Sequence, residues 1–199
     1  MKLYLLAAVS LLLINSCNNT TKEKEQGPDQ VTMTNHPDKP LFFPVTVYLK
    51  GQLFDYRRDG IIPLKYTTIK NHTDSVWIKM EEVDNAVKEF MEPEIDSTNL
   101  VTYFIEKKFL DQTLDAITYT YDPSGPLPES MKLSHWDVYV NPTTGKVKRI
   151  YMVKTIGDTT LQLTWVSSKW CKINTIITKP DGNTELTKEE KFVWSFDNQ

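Results

Sequence analysis

The chain has 199 residues, 40% of them hydrophobic and 25% charged, a length and composition that suit one domain able to bury a full core without disulfide or metal staples. Its 23 Lys and Arg against 26 Asp and Glu leave a formal charge of −3. With no basic stripe in the sequence, that balance argues against nucleic acid as the main partner and against strong attraction to anionic lipid headgroups.

The N-terminus reads as an address. Lys2 supplies a positive start, and residues 3–14 (LYLLAAVSLLLI) form an apolar run of signal-peptide length, short for a bilayer span. Residues 13–17 (LINSC) resemble a bacterial lipobox. The resemblance implies cleavage before Cys17 and acylation of that residue with two or three chains, enough for stable membrane anchoring where one would not be. Asn18 rather than Asp follows, which in the enterobacterial sorting pattern favours the outer membrane. An ordinary secretory signal with an incidental cysteine is the alternative. Residues 18–40 are polar and carry Pro28, Pro37 and Pro40, so they are read as a flexible tether between the signal peptide (1–17) and a single domain at 41–199. With Cys17 acylated, Cys171 has no partner for a disulfide and is expected to be a buried, inert thiol.

The domain opens with Pro44 at a first helical position. Val45, Tyr48, Leu49, Gln52, Leu53 and Tyr56 follow at helical spacing, and Gly60 marks a stop, which predicts a helix over 44–58. Residues 61–69 read as extended, with Pro63 confining them to an edge or a crossing segment. Asp74 or Ser75 can cap a second helix over 75–91, whose stripe is Val76, Met80, Val83, Val87, Phe90 and Met91 and whose end is set by Pro93.

From Leu100 onward the pattern changes to strands. Two segments join at Asp111-Gln112, and a Pro- and Gly-rich loop follows at 122–130. In residues 134–154, Trp136, Val138 and Val140 alternate with Asp137, Tyr139 and Asn141, and Asn141-Pro142-Thr143-Thr144-Gly145 has the chemistry of a turn. Turns at Gly157-Asp158, 167–169 and 180–182 separate further strands, the last near 191–196. The expected fold is α+β: two N-terminal helices packed on a curved antiparallel meander sheet of about seven strands.

Four stretches carry a family likeness: the Cys17 lipobox, KEFMEPEID at 88–96, FLDQTLDAITYTYDP at 109–123 and HWDVYVNPTTGKVKRIYMVK at 135–154. With these the chain resembles lipoproteins of Bacteroidota-type bacteria over about residues 42–196. The hairpin DVYVNPTTGKVKRI is also similar to the strand–turn–strand of PepSY-type domains. The resemblance implies an exported, anchored, single-domain protein of the cell envelope. It implies no activity and no catalytic residue.

The chemistry readable from the residues is sparse. His36, His72 and His135 have no metal-ligand spacing, and there is no phosphate loop or nucleophile elbow, so no metal or cofactor is expected and the chain is not read as an enzyme. Glu81-Glu82 and Glu189-Glu190 read as solvated faces. Asp74-Ser75-Val76, Asp96-Ser97-Thr98 and Asp158-Thr159-Thr160 resemble short bacterial O-glycosylation acceptors. The strands are rich in aromatic residues, which core packing explains. The sharper alternative is a ligand cavity in a curved half-barrel, with Trp136, Tyr151, Trp165 and Trp194 as the residues touching an apolar ligand. Two function classes follow: a non-catalytic binding or interaction module of the envelope, whose partners are the membrane through Cys17 and another envelope protein, or a carrier of an apolar, lipid-like ligand.

Overall fold

The computed structural model describes residues 41–196, so Cys17, the signal peptide reading and the tether at 18–40 lie outside the described residues. Seven strands run as the sequence predicts, each beside the next: β3 (Phe104–Asp111), β4 (Ala116–Pro123), β5 (Leu133–Val140), β6 (Val147–Ile156), β7 (Thr159–Val166), β8 (Trp170–Thr178) and β9 (Thr184–Val193). Their turns are local. Asn141 Oδ1 accepts the N–H groups of Thr143 and Thr144, both at 2.9 Å, and Gly145 takes φ +67, a conformation that costs a residue without Cβ little. The last strand begins earlier than expected and ends at Val193, so Trp194 and Phe196 lie beyond it.

The sheet has nine strands rather than seven. A hairpin of β1 (Leu64–Ile69) and β2 (His72–Trp77) extends it past β9, giving the order β2-β1-β9-β8-β7-β6-β5-β4-β3, antiparallel throughout. This corrects the second helix. Residues 75–77 pair with β1 instead of starting a helix, so Asp74 and Ser75 cap nothing and Val76 is 58% exposed. The helical remainder is α2 (Met80–Ala86) with a 3₁₀ turn at Lys88–Phe90. The stripe itself holds from Val83 on: Val83, Val87 and Phe90 are fully buried. A β-branched, aromatic stretch (HTDSVW) next to a pairing strand takes the ladder over a frayed helical turn, because each residue there gains a cross-strand partner. Pro63 ends up just before β1, outside the ladder.

The first helix is as predicted. In α1 (Val45–Arg58), Val45, Leu49, Leu53 and Tyr56 are buried, and Arg57 and Arg58 sit in the last turn, where cations suit the helix dipole. It lies across the strands. Near its start, Phe42 meets Trp136 (6.0 Å) and Tyr121 (5.0 Å); in its middle, Tyr48 Oη lies 2.7 Å from Ser167 Oγ; near its end, Tyr56 stacks on Trp194 at 4.9 Å. After the β1–β2 hairpin the chain must return from one edge of the sheet to the other, eight strand steps or roughly 40 Å. Residues 78–103 make that return alongside α1. The two passes are joined by main-chain bonds Phe42 N to Ser97 O (3.0 Å) and Thr46 N to Ile95 O (3.1 Å), and by Ile95 N to Thr46 Oγ1 (2.8 Å). The second helix therefore follows a hairpin and belongs to this return, and the two helices are not a contiguous N-terminal pair.

The core lies between these passes and one face of the sheet. Register places Tyr121, Trp136, Met152, Leu163, Ile173 and Phe192 on that face. Its fully buried charge is Lys154, 2% exposed, whose Nζ lies 2.7 Å from Glu89 Oε2 on the 3₁₀ turn, while Lys65 and Glu190 pair at the margin of the same face. The alternate residues, among them Tyr66, Tyr139, Tyr151, Thr164, Trp170 and Lys172, are half-buried and face away from the core, on a sheet face that no second layer among the described residues covers.

Candidate functional site

The uncovered face carries the densest polar cluster, and strand register builds it. Thr120 on β4 is opposite Asp137 on β5, and Asp137 is opposite Tyr151 on β6. His135 and Asp137 are two residues apart on one strand and so share this face; Asp122 joins them from β4. His135 is held from both sides: Nδ1 lies 2.9 Å from Asp122 Oδ1 and Nε2 lies 3.2 Å from Asp137 Oδ2. Asp137 also accepts from Thr120 Oγ1 (2.6 Å) and from the Tyr139 hydroxyl (3.1 Å). Asp122 accepts from Lys107 Nζ at 2.9 Å. The Arg149 guanidinium lies 3.9 Å from the centre of the Tyr139 ring, and the Tyr151 ring is edge-on to His135 at 6.4 Å.

The electrostatics follow from these bonds. The bond to Asp137 raises the His135 pKa above the ordinary histidine value; burial opposes the rise and the Asp122 bond adds to it. Burial pushes the Asp137 carboxyl up, but the bonds from His135, Thr120 and Tyr139 outweigh it and hold the group below the usual carboxylate range. Lys107, then His135, hold Asp122 low as well. An imidazole with a carboxylate at each nitrogen satisfies both only as imidazolium. Both ring nitrogens of His135 donate only while the ring is protonated, and the hydroxyls of Thr120 and Tyr139 are donated to Asp137. The cluster is a saturated network. It orders a patch of surface on which Arg149, Tyr139 and Tyr151 lie beside one another.

The four aromatic residues singled out in the sequence separate. Trp136 and Trp165 are fully buried and Trp194 nearly so, in the core beneath α1 and the return segment. Trp136 stacks on Tyr121 at 4.5 Å and meets Phe104 at 4.7 Å; Trp165 meets Phe90 at 5.3 Å and Trp194 at 5.1 Å. Their rings are occupied by one another and by neighbouring aromatics. Tyr151 is on the other face, beside His135. Glu81 and Glu82 are exposed, as expected, but Glu189-Glu190 is not a solvated face: Glu189 pairs with Lys172 (3.1 Å), and Glu190, only 17% exposed, turns to the opposite face between Lys65 (2.6 Å) and Lys188 (2.8 Å). Cys171 is fully buried and burial drives its thiol pKa up, as expected of an inert thiol. On the helix side, an open groove of about 450 Å³ is lined by Leu41, Phe43, Ile117, Tyr119 and Val140.

Spacing alone excluded His135 as a metal ligand and gave no sign that Asp137 and Asp122 hold its ring. The signal was partial: His135-Trp136-Asp137 inside an alternating strand already puts an imidazole and a carboxylate on one side, but only the β4–β5 register brings Asp122 to the same ring. Among the described residues, no group of three or more His, Cys, Asp or Glu has the arrangement of a metal site. In comparisons with known proteins, no family model matches the chain, and neither a curated protein nor a solved structure is significantly similar to it.

Proposed function

We propose that this chain is a non-catalytic, lipid-anchored module of the bacterial cell envelope, held at the outer membrane through Cys17 and binding another envelope protein with the uncovered face of its sheet. The observation that carries this reading is the saturated His135–Asp122–Asp137 network: it spends its ionisable groups on one another while holding half-buried Tyr139, Tyr151 and Arg149 on a face with no second layer. Aromatic rings and arginine on a rigid, partly desolvated surface are the residue classes that dominate protein interfaces. The lipobox-like residues 13–17 and the likeness to Bacteroidota-type lipoproteins support the anchoring half.

Two measurements test the two halves separately. Metabolic labelling with a tritiated fatty acid should mark the native chain, and Cys17→Ala should lose both label and membrane sedimentation; an unlabelled native chain ends the anchoring claim. A photo-crosslinking residue in place of Tyr151 should give a discrete protein adduct in intact envelopes, while the same residue in place of Phe54, an exposed position on α1, should not. Equal adducts at both positions, or none at Tyr151, ends the binding claim.

A second reading, a carrier of an apolar ligand, is supported by the groove beside Phe43, Ile117 and Tyr119 rather than by the buried tryptophans. Native mass spectrometry of the purified chain with a co-purified lipid, lost on Ile117→Asp, is the result it requires.

A further inference from the structure

We infer that the edge strand β3 pairs antiparallel with β3 of a second copy of this chain, in the one register that sets Glu106 opposite the other copy's Lys108. The sheet is open, with β3 at one edge, and that edge is long and apolar at its ends: Ile105 is 46%, Phe109 49% and Leu110 59% exposed. Such an edge is a template for another strand.

Which main-chain groups are available follows from the pairing with β4. The N–H of Ser124 donates to Tyr103 O at 2.8 Å, one step beyond the Phe104–Pro123 pair. Main-chain groups of successive residues point alternately toward and away from a partner strand, so the odd-numbered residues of β3 bond β4 and the even-numbered ones face outward. Pro123, which has no N–H, sits opposite an even-numbered residue, as this requires. Glu106, Lys108 and Leu110 therefore present N–H and C=O to an incoming strand, and a two-fold partner must match even residues with even.

Three such registers are long enough to matter. One sets Glu106 against Glu106 of the second copy, and another sets Lys108 against Lys108. The third sets Glu106 against Lys108 twice and Ile105 against Phe109 twice; Phe104, in line with Leu110, is turned into the core and its N–H is donated to Leu100 O at 3.1 Å. Unlike charges and apolar pairs directly opposite one another favour a ladder, and like charges oppose it. Neither Glu106 nor Lys108 has an ion-pair partner among the described residues: Glu106 bonds the Tyr121 hydroxyl and the Lys108 ammonium lies 5.1 Å from the centre of the Tyr119 ring, so both charges remain unneutralised within the chain. Lys107 falls on the two-fold axis, where each copy's ammonium is already neutralised by its own Asp122 at 2.9 Å. The β2 edge lacks this self-complementarity: its His72 ring and Asp74 carboxylate bond each other at 3.1 Å. Pairing through β3 leaves both uncovered faces on the same side, because opposed residues in a ladder point to the same face.

Disulfide trapping in the full chain, expressed in its own membranes and oxidised there, tests this. In the inferred register residue 105 lies beside 109 of the second copy, while 105 and 105 are about 14 Å apart, beyond disulfide reach. The double variant Ile105→Cys/Phe109→Cys should give a covalent dimer, and each single variant should give almost none. In the double-cysteine background, Glu106→Lys should cut the dimer yield about tenfold, by turning two attractions into repulsions, and the added change Lys108→Glu should restore it. Single variants that cross-link as well as the double, no dimer from the double, or a charge swap that fails to restore the yield would each overturn the pairing.

Discussion

The face of the sheet under α1 and the face on its far side are made of the same strands, residue by alternate residue, yet they hold together by opposite means. On the covered side, rings fill space against rings: Trp136 on Tyr121, Trp165 on Phe90, Tyr56 on Trp194. On the far side, His135, Asp122, Asp137, Thr120 and Tyr139 hold position by hydrogen bonds, with water close by. The lesson is that burial alone does not assign a role. Asp137 is nearly as buried as parts of the core, but its worth depends on its partners and on pH, whereas the value of Trp165 depends on volume and on little else.

Trp165→Ala should cost about 3–5 kcal/mol, read as a lower urea midpoint, because a buried indole leaves a cavity its neighbours cannot fill. Tyr151→Ala, on the far side, should cost far less. If the two losses are equal, the faces are not built differently.

The charge inside the covered face sharpens the contrast. Glu89→Ala strands Lys154 as an unpaired buried ammonium and should destabilise by about 3 kcal/mol, while Lys154→Met should be close to neutral, since an apolar side chain suits that site as well as the ion pair does. Chemical denaturation of both variants distinguishes a pair needed for stability from one that merely tolerates burial.

On the far side the expected effect is smaller and depends on pH. Asp137→Asn should cost about 1–3 kcal/mol near neutrality, by removing a carboxylate that three donors share. Because the folded His135 pKa is raised, its contribution is complete below the unfolded value of about 6.5 and is lost as pH rises through the folded one. The lowered Asp122 and Asp137 contribute above about 3.9 and lose that contribution as pH falls through their folded values. Stability from the cluster should therefore be greatest between about pH 4 and 6.5 and decline on either side. Thermal unfolding midpoints of the native chain should drop between pH 6 and 8.5 by more than those of His135→Gln; parallel curves would remove the imidazolium from the account.

The smallest effect should come from the other histidine–carboxylate pair. His72 and Asp74 are as close as His135 and Asp137 but stand in solvent on an edge strand, so His72→Ala should change stability by less than about 0.5 kcal/mol. A loss as large as that of the His135 variant would mean that distance, not environment, sets the value of such a pair.

Hairpins were legible because their causes are local. Asn141 to Gly145, Gly157-Asp158 and Pro180-Asp181-Gly182 are turn chemistry wherever they occur, and alternation between them yields strands β4 to β8; the last strand was expected near 191–196 and instead spans Thr184–Val193. Helix α1 was legible for the same reason, its apolar spacing and flanking Pro44 and Gly60 being contiguous. Reading residues 75–77 as helix failed because Val76 continues a helical stripe in sequence, and only the presence of β1 beside it makes the ladder the better partner.

Local sequence set the period of most segments from α1 to β8 and the turns of the β3–β9 meander, since both depend on neighbours a few residues away. Tertiary structure alone decided that β1 docks against β9, that residues 78–103 must return across the whole sheet, and that Asp122 meets the imidazole of His135. Those choices join residues far apart in the chain. They are set by which apolar faces must be covered and which register covers them, a competition that no short window of sequence contains.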